Sequence, residues 1–538
     1  MKRMVNKSLL TFCGMMMALL LLSSCERKGE SEIDFLTVKM SSNDRWSIID
    51  KNGKEVVKEE YLADADVSIV YDGVFWVKTN GKYQLYAVAQ PKKPVSTHEY
   101  TWVTLFHAGR AAVSNPNHPI QIIDTKGKVV ATLPENVKRC SHFMDDGYAV
   151  FEKTDGMTGV IDINGKVVIA AEYKEVGAIS DGVLIAIKPE DEEKRLILNT
   201  KGKKLGEIDG HRYQLLSFYF CEGKIAVRMN NEENGDVIIL DKTGKKLFSI
   251  RKAQNIRDEG YKDGYITFTN QDWRCGVADD KGEVVIRAKY NSIFNLGNGE
   301  FAAKKDDKWG VVDAKDEVVI DFDYEGACDF KLGKNYVMKD RSDFVVVGKD
   351  GKECTAFNVL GNSTNGYALY VNVAAIADDA MSIVTQLEQT GTAAQVAQQT
   401  TMKAEDNRYT SRFSYNKTVG DVTASGTVWY DGNLVEEKTH KEKVDDGWFT
   451  YDRTVSDGYR WTNALPSSIE VDLKVNTSGL DKEYIIKAIN EKLAQGRKKV
   501  SEGVFSKKVK VGGKTLECRT SVTEKYDGSL SLTIRFRK

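Results

Sequence analysis

The sequence has few of the residues from which metal sites are usually built. Its 538 residues include only six histidines, and these form neither a His-Glu-x-x-His motif nor a Cys/His ligand set. The histidines are His98, His107, His118, His142, His211 and His440. His107 and His118 flank one predicted strand and His142 follows soon after, so only these three are candidates for a cluster. We therefore predict no metal site.

Sequence signatures of catalysis are also missing. There is no Gly-x-Ser-x-Gly elbow, no glycine-rich phosphate loop and no EF-hand loop. The acidic pairs Asp306-Asp307 and Asp445-Asp446 stand next to turn residues. We predict no catalytic residue and no cofactor, and we expect that the protein is not an enzyme.

Excess positive charge and paired cysteines are absent as well. Without residues 1–24 the chain has 74 basic and 78 acidic side chains, which gives no reason to expect nucleic acid as a partner. Beyond position 25, the cysteines are scattered with no Cys-x-x-Cys pair: Cys140, Cys221, Cys275, Cys328, Cys354 and Cys518. Isolated cysteines of this kind favour free, buried thiols over disulfides.

The N-terminus, in contrast, has the layout of an export signal. Lys2, Arg3 and Lys7 precede an apolar run over residues 9–22, and small residues follow. Leu22, Ser23, Ser24 and Cys25 resemble the lipobox of bacterial lipoproteins. The resemblance implies cleavage of a signal peptide, residues 1–24, and attachment of acyl chains such as palmitate to Cys25. Residues 25–34 would be a lipidated tether to the bilayer, at the bacterial outer membrane or cell surface.

Two series of glycines run in step through the next 330 residues. One series marks Asp-x-x-Gly turns, as in 50–53, 124–127 and 279–282, at spacings of 34 to 42 residues. The other opens short apolar strands, for example at Gly147 and Gly299. Two series in register indicate about nine small β meanders, which must stack because one unit of this size cannot bury its own apolar face.

The clearest unit contains Trp309-Gly310, then Val311, Val312 and Asp313. This pattern resembles the bacterial WG repeat family and extends over residues 33–361. The fold class predicted from it is an all-β array of three- to four-stranded meanders, either propeller-like or openly stacked. Since the Trp-Gly pair drifts between units, we expect both residues to serve packing and turn geometry.

A different pattern begins after residue 363. Residues 374–390 and 481–495 have apolar positions at helical spacing, and alternating segments predict antiparallel strands. We predict an α+β domain over 364–538 with an internal duplication, its halves at about 366–440 and 468–538. Phe413-Ser414 corresponds to Phe505-Ser506 in this duplication, and the Tyr430 turn to the Tyr526 turn.

Between these halves lies a loop-like segment rich in aromatic residues, which are candidate ligand-binding residues because aromatic faces stack on sugars and peptides: Trp448, Tyr451, Tyr459 and Trp461. The sequence favours an envelope lipoprotein that acts as a binding or scaffold module for an unidentified envelope protein or glycan. Two alternatives stay open. One is a glycan- or peptidoglycan-directed hydrolase with its site in the C-terminal domain or the repeat channel, and the other is a structural spacer.

Overall fold

The computed structural model describes residues 32–538, except 42–44, 59–65, 218, 231–235, 258–259, 362–366, 400–411, 433–434, 446, 476–481 and 527–528. Cys25 and the predicted signal peptide lie outside the described residues. The chain divides into two compact units, one ending at Val371 and the other beginning at Asn372.

The first unit consists of nine successive repeats, R1 to R9. R1 contains β1 (Glu32–Ile33), β2 (Phe35–Met40), β3 (Trp46–Asp50) and β4 (Glu55–Val57), R2 contains β5 (Asp66–Val67), β6 (Val74–Thr79) and β7 (Lys82–Ala87), and R3 contains β8 (Trp102–Val103), β9 (Arg110–Ser114), β10 (Gln121–Asp124) and β11 (Val129–Thr132). R4 contains β12 (Val137–Ser141), β13 (Tyr148–Lys153), β14 (Thr158–Asp162) and β15 (Val167–Tyr173), and R5 contains β16 (Glu175–Val176), β17 (Val183–Lys188), β18 (Asp191–Asn199) and β19 (Lys204–Asp209).

The remaining repeats have four strands each. R6 contains β20 (Tyr213–Leu215), β21 (Lys224–Met229), β22 (Val237–Asp241) and β23 (Lys246–Ile250), and R7 contains β24 (Asn255–Ile256), β25 (Tyr265–Thr269), β26 (Cys275–Asp279) and β27 (Val284–Tyr290). R8 contains β28 (Ser292–Gly297), β29 (Glu300–Lys305), β30 (Lys308–Asp313) and β31 (Val318–Tyr324), and R9 contains β32 (Gly326–Leu332), β33 (Asn335–Asp340), β34 (Asp343–Val347) and β35 (Glu353–Leu360). The predicted array of three- to four-stranded meanders is confirmed.

The Asp-x-x-Gly segments are the turns between the third and fourth strands. In R8, where Asp316 stands at the glycine position with a φ of 68°, the carboxylate of Asp313 accepts hydrogen bonds from the backbone N–H groups of Lys315 and Glu317, both at 2.9 Å. Asp50, Asp124, Asp162, Asp241, Asp279 and Asn199 make the same pair of bonds in their repeats. The repeated aspartate therefore satisfies the backbone of a tight turn.

The glycine of the Trp-Gly pair is required by a close approach of two backbones. Gly159, Gly276 and Gly310 lie on third strands at the point where the register with the fourth strand shifts. A Cβ atom on Gly310 would stand 2.6 Å from the carbonyl oxygen of Ile320, and the other two glycines have equivalent neighbours at 2.6 and 2.7 Å. Trp309 stacks on Phe294 with ring centroids 5.2 Å apart. Both residues thus serve packing.

Neighbouring repeats bury each other's sheet faces. On β29, Phe301 and Ala303 contact a cluster shared with R7, while Ala302 belongs to a cluster shared with R9. Eight such apolar clusters join R1 to R2, R2 to R3 and so on to R9, and there is a ninth among the described residues. Because both faces are covered there, inner strands such as β17 and β22 have continuous apolar runs, whereas fourth strands such as β27 and β31 are partly exposed.

The ninth cluster closes the array, because it joins R9 to R1. Residues 32–40 complete this closure with hydrogen bonds at both edges of R9: β1 pairs in parallel with β32, and β2 pairs antiparallel with β35. R1 and R9 consequently share one eight-stranded sheet. The first unit is therefore a closed ring of nine repeats. It extends past residue 361, because β36 (Tyr367–Leu369) pairs with β12 of R4.

The second unit is a seven-stranded antiparallel sheet with helices. Its elements are α1 (Val373–Glu388), α2 (Ala393–Gln399), β37 (Arg412–Val419), β38 (Val422–Tyr430), β39 (Val435–Asp445), β40 (Thr450–Trp461), β41 (Pro466–Val475), α3 (Lys482–Ala494), β42 (Lys498–Ser501), β43 (Val504–Val511), β44 (Lys514–Glu524) and β45 (Leu530–Arg537). The sheet order β37-β38-β41-β45-β44-β43-β42 places the third strands of the two halves, β41 and β45, side by side.

A duplication accounts for this order, but its halves differ from the predicted ones, because β41 completes the first half whereas residues 468–475 were predicted to open the second. Each half has a helix, a two-stranded hairpin and a third strand, and Phe413 and Phe505 both lie at the start of the hairpin. Helices α1 and α3 contact each other and the sheet, so they cover the same face. No helix in the described ranges is long and apolar enough to span a bilayer.

The cysteines are less uniform than predicted. None of the six described cysteines forms a disulfide, and Cys140, Cys221, Cys275 and Cys518 are buried. Cys328 is half-buried and Cys354 is exposed, however, so the expectation of burial is wrong for these two. Both lie in R9, and Cys354 is on the outermost strand of that repeat, where a side chain need not be covered by the next sheet.

Candidate functional site

The segment predicted as a loop between the C-terminal halves is a long two-stranded ribbon, β39 with β40. The strands pair over eleven residues of β39, from Val435 to Asp445. The described side chains from 436 to 454 are exposed apart from Val444, which is half-buried. The loop prediction is therefore wrong. Polar residues on both faces of the ribbon leave no alternation of apolar and polar positions from which strands could be recognised.

Two aromatic side chains stand at the tip of this ribbon. Trp448 is 87% exposed and Phe449 is 77% exposed, in the turn between β39 and β40. Tyr451, two residues further, is 50% exposed. We call these three residues the aromatic tip. Phe449 was not among the sequence candidates, although its position directly after an Asp-Gly-Trp turn was a usable signal.

The other two candidates lie far from the tip along the strand. Trp461 is half-buried at the base of the ribbon and packs on Phe413, with ring centroids 5.1 Å apart. The backbone of Tyr459 is in β40, and its side chain is outside the described part of the chain. Tyr451 and Trp461 are ten residues apart on one strand, a distance of about 33 Å. The structure therefore groups Trp448 and Tyr451 and assigns Trp461 to packing.

A second polar group lies on the inner turns of the ring, which connect the first and second strands of each repeat, and its residues come from three successive repeats, R2 to R4. Nδ1 of His107 is 3.4 Å from Oδ1 of Asp145, and the ring of His107 is 4.2 Å from that of Tyr71 between centroids. The ring of His142 is 5.5 Å from that of His107. His118 is exposed and contacts the carbonyl oxygen of Pro116. Two of the three candidate histidines therefore meet.

This inner-turn group is largely buried. His107 and His142 are both over nine-tenths buried, and Nε2 of His107 has no hydrogen-bond partner among the described residues. Asp145, in contrast, is half exposed. Tyr71, His107 and Asp145 all stand two residues before a glycine of the second series, and that shared position was the sequence signal for their proximity. Within the described ranges, no three His, Cys, Asp or Glu side chains converge as metal ligands.

Other acidic side chains on the inner turns bind the neighbouring repeat. The carboxylates of Asp72, Asp181 and Asp263 each accept a backbone N–H of the next repeat, from Gly109, Gly223 and Asn298, all at 2.8 Å. Glu222 accepts the N–H of Gly264 in the same way. These carboxylates connect neighbouring repeats.

Each unit also contains one buried carboxylate with basic partners. Glu300 of R8 is bound by Lys331 at 3.1 Å and by Lys349, both from R9. Glu388, fully buried at the end of α1, is bound by Arg497, Lys507 and Thr520 from the second half of its unit. Burial alone would raise the pKa of either carboxyl, but these bonds outweigh it and the pKa values of Glu300 and Glu388 are lowered. Both groups are structural.

Comparison with known proteins gives one family match. The model of the WG containing repeat matches residues 159–188 and 276–309, within R4–R5 and R7–R8. The chain therefore contains WG repeats. No curated protein matches the chain.

Several solved structures are similar to the chain. A eukaryotic initiation factor is 10% identical with a TM-score of 0.44, over 61% of this chain and 97% of that one. BamB from Moraxella catarrhalis is 14% identical with a TM-score of 0.30, over 53% and 97% of the two chains. A protein of unknown function from Bacteroides caccae is 13% identical with a TM-score of 0.21, over 47% and 92%. Scores this low support no argument about function.

Proposed function

We propose that this chain is an exported envelope lipoprotein that acts as a binding module, with the aromatic tip of its ribbon as the contact element. The observation that supports the proposal is the exposure of Trp448 and Phe449 at the end of a ribbon whose described side chains are mostly exposed. Large aromatic side chains are normally buried, and exposed apolar groups of this kind mark interaction sites.

The partner is an envelope protein or a glycan. Aromatic rings bind sugars and peptides through their faces, and they supply a large contact area for little loss of side-chain freedom. The ring of WG repeats serves as a rigid scaffold in this proposal, because its polar turns satisfy its own backbone.

Acyl chains on Cys25 hold the protein at the outer membrane or cell surface in this proposal. The basic start, the apolar run over 9–22 and the small residues before Cys25 support it. A Cys25→Ser variant should lose incorporation of labelled palmitate and leave the membrane fraction. A Cys354→Ser variant, which removes an exposed cysteine, is the matched control. Unchanged labelling in Cys25→Ser would contradict the anchor.

The binding proposal is tested by substituting the tip. The double variant Trp448→Ala, Phe449→Ala should bind isolated peptidoglycan or captured envelope protein at least about tenfold more weakly, because one desolvated aromatic anchor contributes about 2 kcal/mol. Tyr526→Ala is the control, since Tyr526 is also exposed but lies between β44 and β45, outside the ribbon. Equal binding by all three proteins to every envelope fraction would refute the tip as contact element.

A hydrolase is the second candidate, and the contact between His107 and Asp145 favours it. A histidine oriented by a carboxylate is a common general base, and Nε2 of His107 is on the opposite side of its ring from Asp145. A His107→Gln variant should then abolish release of soluble fragments from peptidoglycan or envelope glycans. Absence of such release by the unsubstituted chain rejects this candidate and leaves the binding proposal intact.

A further inference from the structure

We infer that the outer edge of β39 pairs antiparallel with β39 of a second copy of the chain, centred on His440. This inference concerns the strand edge of the ribbon, whereas the proposed function concerns its tip. The two are independent because Trp448 and Phe449 lie beyond the residues that would pair.

The outer edge of β39 has no strand partner among the residues that the structure describes. In the described part of the chain, β39 pairs only with β40. An isolated two-stranded ribbon is marginally stable in water, and an unpaired strand edge is a template for another strand. A ribbon of this length with exposed faces is therefore incomplete as a stable element, and a strand added to β39 would stabilise it.

The edge of β40 is less suitable. Asp457 is an extra residue in β40, because Lys438 pairs with Gly458 and Thr439 pairs with Ser456, and Gly458 has a φ of 95°. A bulge of this kind twists a strand edge away from a regular partner. Beyond β40, the carbonyl of Thr462 already accepts the N–H of Ala394 at the start of α2. The extra residue belongs to β40, so β39 itself stays regular.

The charges of β39 select one register for self-pairing. With His440 opposite His440 of the second copy, Glu437 stands opposite Lys443 and Lys438 stands opposite Glu442, and symmetry doubles both contacts. Shifting the register by one residue places Lys438 opposite Lys441 or Lys443. Shifting it by two places Glu436 opposite Glu442, or Lys441 opposite itself. A parallel pair in register would place every charge opposite its own kind.

This charge pattern identifies the occupant as a second copy. Lysines on an edge strand usually prevent pairing, but here each of two lysines has a glutamate at the symmetric position. Exposed ion pairs contribute little affinity, and their role is to fix register while the backbone hydrogen bonds supply the attraction. The resulting four-stranded sheet would have the order β40-β39-β39-β40.

Position-specific crosslinking of the full chain in membranes tests the inference. Residues opposite each other on antiparallel strands have Cα atoms about 4.5 to 5.5 Å apart, which suits a disulfide. His440→Cys should therefore form a covalent dimer under mild oxidation. Lys438→Cys and Glu442→Cys should not, because each would be about 14 Å from its own copy along the strand. The unsubstituted chain measures the background from the native cysteines.

A charge exchange tests the register. In the His440→Cys chain, Lys443→Glu places a glutamate opposite Glu437 at two symmetric sites, and the dimer band should fall about tenfold. Adding Glu437→Lys should restore it. Lys498→Glu, on exposed strand β42, makes the same change in net charge and should have no effect. Equal crosslinking at positions 438, 440 and 442, its absence at 440, or failure of the double exchange to restore the band would overturn the inference.

The test also separates this inference from the proposed function. The double variant Trp448→Ala, Phe449→Ala should leave crosslinking at position 440 unchanged while binding falls. Loss of crosslinking by the tip variant would show that the tip and the edge act together, which would contradict the edge as an independent interface.

Discussion

The ring and the C-terminal unit are both built from repeated sequence, but they distribute their stabilising contacts differently. In the ring, each repeat is covered on both faces by its neighbours, and nine similar clusters carry the stability. In the C-terminal unit, the two halves share one sheet and one buried ionic group at Glu388. We therefore expect a destabilising substitution in the ring to affect only its own repeat and the adjacent ones. A destabilising substitution in the C-terminal unit should affect both of its halves. The ribbon should contribute little to the stability of either unit.

The largest expected effect is that of Glu388→Ala. Removing this carboxylate leaves Arg497, whose side chain is buried, without its counter-charge, and the free energy of unfolding of the C-terminal unit should fall by about 3 to 5 kcal/mol. Hydrogen exchange on the full chain should report the loss in both halves, at α1 and at β44. Asp378→Ala is the control, because Asp378 lies on the same helix and its bond to Lys492 is exposed. That variant should lose less than about 1 kcal/mol.

Acid should also reduce the stabilising contribution of Glu388, with a smaller effect than the substitution Glu388→Ala. The pKa of Glu388 is lowered in the folded protein, so its contribution is complete above the unfolded value of about 4.3 and is lost as the pH falls through the folded value. Urea midpoints of the C-terminal unit should therefore decline below about pH 4. Glu388→Gln should be less stable at pH 7 and should show a smaller decline. An equal decline in both proteins would assign the acid sensitivity to other groups.

Gly310→Ala should cause a local loss of stability in the ring. The added Cβ would meet the carbonyl oxygen of Ile320, and overpacking of this kind costs about 1 to 3 kcal/mol. Faster hydrogen exchange should be confined to R8 and its two neighbours. Trp309→Phe keeps an aromatic ring stacked on Phe294 and should cost less. Spread of the exchange through all nine repeats would break the contrast between the two units.

Removing the ribbon should have the smallest effect on the stability of the C-terminal unit. Val435 and Trp461 are Cα partners, so an Asn-Gly turn can replace residues 436–460 and keep the packing of Trp461 on Phe413. The free energy of unfolding of the C-terminal unit should change by less than about 0.5 kcal/mol, because most of the described side chains that are removed are exposed. A larger loss, measured by urea denaturation, would show that the ribbon is part of the fold.

Local sequence was sufficient to predict structure that depends on a turn or on the periodic spacing of apolar residues. The Asp-x-x-Gly segments predicted turns because Asp313 and its equivalents satisfy their own backbone within four residues. The two C-terminal helices were predicted because their apolar positions recur at helical spacing. The ribbon was missed for the opposite reason, since a strand with two exposed faces has no apolar period.

Contacts between residues far apart in the chain depend on packing that local sequence does not specify. The meeting of His107 with Asp145 depends on the lateral packing of R3 against R4, and 38 residues separate them. The separation of Trp461 from Trp448 depends on the length of the ribbon, which the loop interpretation did not include.

By itself, the sequence determined the nine repeats, their turns, the duplicated C-terminal domain and the absence of a recognisable catalytic motif. These features arise from residues close together in the chain, so they leave periodic traces. Only the tertiary structure decided that the array closes, because closure joins residues 32–40 to residues 326–360 through backbone hydrogen bonds that have no sequence signature. It also decided which aromatic side chains are exposed, because burial depends on what packs against a residue as well as on its type.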